Sequence, residues 1–133
     1  MSKSQHNIWI HAHWKTKNNS GLISNEIENK VHNYLRLEFI EAGCFVKLVN
    51  STPENVDCLF MMSPKKPLDE IIKMVKGSSS HRINTEDLIP EKFTWEKGYS
   101  SRSIGETELE SVFQELMDRD KDRSGKPQQG QER

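Results

Sequence analysis

Residues 6–14 follow a period of two. Ile8, Ile10, Ala12 and Trp14 fall on one face, and Trp9, His11 and His13 on the other. A period of two carried by β-favouring residues predicts a strand with one buried face. The polar, turn-forming stretch 15–21 ends it. The period then lengthens: Ile27, Val31, Tyr34 and Leu35 share a helical face, Asn25 and Glu28 stand at capping-box spacing, and Gly43 marks the stop. Two short apolar runs, 44–49 and 56–62, flank the turn-forming residues 50–55 and read as a pair of buried strands. Pro67 opens a second helix, with Leu68, Ile71, Ile72 and Val75 at i, i+3, i+4 and i+7. Gly77 and the three serines after it predict that this helix ends or loosens there. Residues 83–98 are irregular, and a short strand is expected over 99–104. Gly105 as cap, Glu106 and Glu108 in the first turn, and a stripe of Leu109, Val112, Phe113 and Leu116 define a last helix.

The order strand, helix, strand, strand, helix, strand, helix is a split βαβ layout. It predicts an α+β sandwich with helices packed on an antiparallel-type sheet. Hydrophobic residues make up 33% of the 133 and charged ones 29%, which leaves room for one domain with a thin core. From Ser124 onward no apolar residue occurs, so the reading is a folded domain over 1–123 and a disordered polar tail over 124–133. No apolar run approaches the roughly 18–20 residues that span a bilayer. The first residues lack the apolar stretch of a secretory signal, so a cytoplasmic protein without a membrane partner is expected. Cys44 and Cys58 each sit inside an apolar run and read as buried thiols of a reduced compartment.

The formal net charge of −1 conceals segregation. Residues 1–23 carry three lysines and no acid, and residues 65–82 carry five bases against two acids, whereas 106–123 carry seven acids against three bases. Solvated faces account for such blocks as well as a local phosphate-binding stripe does. Lys15 and Lys17 close the first strand, while Lys73, Lys76, Ser79, Ser80, His81 and Arg82 lie at and after the expected end of the second helix. Lysine and serine contacts to phosphate need no particular base. Trp95, Tyr99 and Trp14 offer faces on which an unpaired base could stack, although Trp95 could equally cap the core.

The run 51–60 (STPENVDCLF), then Pro64-Lys65-Lys66-Pro67-Leu68, Lys76-Gly77-Ser78-Ser79-Ser80, Ile83-Asn84 and 93–99 (FTWEKGY), is similar to a known family. It resembles the single-tyrosine HUH transposases of the insertion sequence two-hundred type, including the REP-associated branch. Ile8-Trp9-Ile10-His11-Ala12, Thr16-Lys17-Asn18 and the last helix up to about Arg123 join the match. The resemblance implies a ferredoxin-like scaffold with an additional C-terminal helix. It also implies a dimer that cuts and rejoins single-stranded DNA with a divalent metal such as Mg or Mn.

Three departures stand against that chemistry. Where the resemblance places two histidines on the central strand, this chain has Asn55 and Asp57. An amide oxygen is a weak ligand, and a lone carboxylate holds Mg²⁺ poorly without phosphate partners. Where it places the nucleophilic tyrosine stands Glu115, and Arg119 replaces a metal-linked glutamine one helical turn on. A carboxylate cannot serve as a phenol in a durable phosphodiester link. Acids crowd this last helix, with Asp118, Asp120 and Asp122 beside Glu115. The reading is a transposase-like protein without a working active site and without a cofactor, binding single-stranded or hairpin DNA, with a homodimer implied. His11-Ala12-His13 has the HUH spacing but lies on the first strand, where two polar residues on its less buried face explain it. If the first and third strands are neighbours, His11, His13 and Asp57 could instead form a metal site for a nuclease. A protein-interaction module built on the acidic last helix is the third reading.

Overall fold

The computed structural model describes residues 5–123, with the backbone alone for Asn19 and 119–123. Four strands and three long helices follow in the order β1 (Trp9–Lys15), α1 (Glu28–Glu41), β2 (Phe45–Ser51), β3 (Asn55–Met61), α2 (Leu68–Thr85), β4 (Ser100–Ile104) and α3 (Leu109–Arg123). The residues read as a tail, 124–133, lie outside the described part. The strands form one sheet in the order β2-β3-β1-β4, every neighbouring pair antiparallel.

Period-two alternation in the central strands splits the protein into two apolar layers. Ile10, Ala12 and Trp14 of β1, with Val56, Cys58 and Phe60 of β3, meet Val31, Leu35 and Phe39 of α1 and Ile71, Ile72, Val75 and Ile83 of α2. On the opposite face Trp9, Leu48, Leu59 and Ile104 meet Val112 and Leu116 of α3. Both cysteines are buried free thiols, and burial raises each above the usual thiol range. No helix among the described residues is long and apolar enough to cross a membrane.

The ends of α1 part from and agree with expectation in turn. The Asn25–Glu28 capping box does not form: the chain makes a separate turn over 25–27, and Ile27 takes the N-cap position without a side-chain bond. Gly43 does stop the helix. Its N–H bonds the Ile40 carbonyl at 2.9 Å, while the Cys44 N–H reaches back to that of Phe39 at 3.0 Å, a Schellman pair. Gly43 has φ of +89°, and a Cβ there would lie 3.3 Å from Ser63, so backbone and space both favour glycine.

The expected end of α2 at Gly77 is wrong; the helix continues to Thr85. Local propensity opposes this, but tertiary burial overrides it. Ile83 is fully buried, and the Ser79 and Ser80 hydroxyls donate to the Lys76 and Gly77 carbonyls of their own helix. At α3 the Gly105 N–H donates to Glu108 Oε1 at 2.9 Å and the Glu108 N–H returns to the Gly105 carbonyl, fixing the first turn.

Candidate nucleic-acid interface

The antiparallel register sets which polar side chains share the α3-facing side of the sheet. His13 stands opposite Asp57 on β3 and Ser100 on β4, His11 opposite Leu59 and Arg102, and Lys15 opposite Asn55. Asn50 of β2 lies opposite Asp57. The face therefore has an apolar half, Trp9, Leu48, Leu59 and Ile104, on which α3 sits. Its other half is polar, with the boundary at His11.

Within the polar half the side chains bond across strands. His11 Nε2 lies 2.8 Å from Asp57 Oδ1, both side chains largely buried, and His13 Nε2 lies 3.0 Å from Asn55 Oδ1. Beside Asp57, the Asn50 amide donates to the Leu116 carbonyl at 2.6 Å, which ties the turn carrying Glu115 to the sheet. Glu115 itself is exposed. The side chain of Arg119 lies outside the described residues.

The expectation that β1 and β3 are neighbours with His11, His13 and Asp57 on one face therefore holds. These residues do not fit a three-donor metal site, however. His13 turns to Asn55 and His11 alone to Asp57, and among the described residues no three His, Cys, Asp or Glu side chains converge as ligands. The cross-strand pair is testable by itself. A double-mutant cycle with His11→Ala and Asp57→Ala, read by urea unfolding, is expected to give a coupling of about 1–3 kcal/mol. A coupling near zero would mean the two side chains do not bond in solution.

Several residues read as DNA contacts are engaged within the protein. Ser79 is fully buried and Trp95 is only 5% exposed. The Trp95 indole N–H donates to Ser79 Oγ at 3.0 Å, and its ring stands edge-on to Trp14 and Phe93. Buried tryptophans find such a partner, and a stacking base would have to displace these rings. Lys76 donates to the carbonyls of Glu96 and Gly98 at 2.8 and 2.7 Å, pinning the segment that leads into β4. Burial lowers its ammonium below the usual lysine value, the Glu96 carboxylate opposing the shift. Arg82 lies 3.8 Å from Glu38 and over the Tyr34 ring, Lys73 is 3.9 Å from Asp69, and Ser80 bonds within its helix.

Lys15, Lys17 and part of Tyr99 remain at the surface. The Tyr99 hydroxyl donates to Asp69 at 3.2 Å, and burial first, then this bond, raises its phenol above the usual value. A cavity of about 230 Å³ at the end of β1 is lined by His13, Trp14, Lys15, Gly98, Tyr99 and Ser100 among others. Arg102 and Ser100 had no sequence signal, because β4 is a short polar strand without alternation; only the register brings them beside the histidines.

An antiparallel β2-β3-β1-β4 sheet with two helices on one face and a third on the other defines a ferredoxin-like α+β domain, here with half of one sheet face left polar. Within that class the sequence is decisive. The profile of the family described as "Transposase IS200 like" matches residues 4–115, and the chain belongs to that family. Among solved structures, a protein of Deinococcus radiodurans R1 assigned as a transposase is similar with a TM-score of 0.70. It is 18% identical, covering 90% of this chain and 98% of that one. A REP-associated tyrosine transposase bound to a REP hairpin gives a TM-score of 0.60 at 9% identity, covering 87% and 68%. At these identities the likenesses speak for the fold alone. No protein of curated function matches the chain in sequence.

Proposed function

We propose that this chain is a transposase-like DNA-binding protein that holds hairpin or single-stranded DNA, as a homodimer, without exchanging phosphodiester bonds. One observation carries the reading. Where the resemblance implies a metal-binding imidazole on β3, the carboxylate of Asp57 stands closed against His11 of β1 at 2.8 Å. Glu115 on α3, where the resemblance implies the nucleophilic phenol, supports it further. Attack by a carboxylate would give an acyl phosphate that water cleaves readily, and its charge repels the scissile phosphate beforehand. The fold neighbour bound to a REP hairpin makes a hairpin with a single-stranded flank the natural probe.

Fluorescence anisotropy with that probe is expected to show binding that weakens steeply with salt. No binding at low salt would remove the DNA reading and favour the protein-interaction module. A second reading, a metal-dependent nuclease, rests on the common face of His11, His13 and Asp57 and requires the His11–Asp57 and His13–Asn55 bonds to open around the ion. It requires Mn²⁺-dependent cutting of the probe that Asp57→Ala abolishes.

A further inference from the structure

On the polar half of the sheet face two cations stand without a partner among the described residues. Lys15 and Arg102 are both exposed, and neither has an ion pair or side-chain hydrogen bond among the described residues. The cations of α2 differ: Lys73 and Arg82 face carboxylates, and Lys76 is spent on two backbone carbonyls. A surface rich in free donors fits a ligand rich in acceptors.

We infer that Lys15 and Arg102, at the open β1–β4 side of the sheet face, contact the phosphates of a single DNA strand running past the His11–Asp57 pair. This rests on the DNA-binding reading above and narrows it, since it moves the contacts from the α2 lysines to the sheet. His11 stands opposite Arg102 and Lys15 lies four residues further along the same strand. Strand rise and spacing then put the two Cα atoms roughly 14 Å apart. That is too far for both to grip one phosphate, so each neutralises its own and their effects add.

The test is anisotropy of a labelled hairpin carrying a single-stranded flank, against the full-length protein and its Lys15→Gln, Arg102→Gln and double variants. Each single change is expected to weaken binding about fivefold at 0.1 M salt and to flatten the slope of log K against log salt by about 0.7. The double variant shows the product of the two factors, and Arg102→Lys restores the slope. Circular dichroism confirms that the variants fold. Binding by Arg102→Gln and Lys15→Gln equal to that of the unaltered protein overturns the inference while leaving DNA binding intact. A non-additive double variant overturns the separate-phosphate geometry. An unaltered protein that binds no DNA overturns the proposed function, and the inference with it.

Discussion

Phe60→Ala is expected to lower the free energy of unfolding by about 3–5 kcal/mol. Phe60 is fully buried on β3, pointing away from the polar face, and its ring centroid lies 4.4 Å from that of Phe39 on α1. Truncation removes the transfer energy of the ring and leaves a cavity that β3 cannot collapse to fill. This strand is held on both sides, by β2 and by β1. A domain of this size has only about 5–15 kcal/mol in total, and this one has a hydrophobic share of 33% from which to build two apolar layers. The same strand carries Asn55 and Asp57 on its other face. Loss of Phe60 therefore also loosens the platform on which the cross-strand pairs stand. Urea unfolding checks the value; a loss under about 1.5 kcal/mol would mean that α1 does not pack on β3 as described.

What could be read from the sequence was what local periodicity encodes. Alternation in β1 assigned Trp9, His11 and His13 to the face opposite Ile10, Ala12 and Trp14, and the register bears this out. The apolar runs around 44–62 gave β2 and β3 because a strand buried on one face and half-covered on the other needs continuous apolar residues. Contacts between distant residues were not legible. The Gly77-Ser78-Ser79-Ser80 stretch has the composition of a helix end. It stays helical because Ser79 meets the Trp95 indole, sixteen residues away, under the core. That one contact also keeps both side chains inside the protein. Lys76 looked like a free cation because the carbonyls that hold it come from the irregular segment before β4. Arg102 gave no sequence signal for the opposite reason: its place beside His11 is set by register and by nothing within 100–104.

The second large effect is on chemistry. On the proposed function, the hairpin probe is expected to be bound and left intact, with covalent exchange absent with or without divalent metal. Asp57 is engaged by His11, His13 by Asn55, and an acid stands at the phenol position of α3. No single replacement accounts for this alone. On the proposed reading, Asn55 and Asp57 stand where the resemblance implies metal-binding imidazoles, and Glu115 where it implies the phenol that would carry the strand. Binding is a separate matter, since phosphate contacts by surface cations require neither.

The most direct measurement incubates the purified protein with end-labelled hairpin DNA and Mn²⁺, then divides each sample between a native and a denaturing gel. A shifted complex on the native gel and unmodified, full-length DNA on the denaturing gel is the predicted outcome. A labelled band that remains attached to protein under denaturing conditions, or a cut product that disappears in Asp57→Ala, would contradict it.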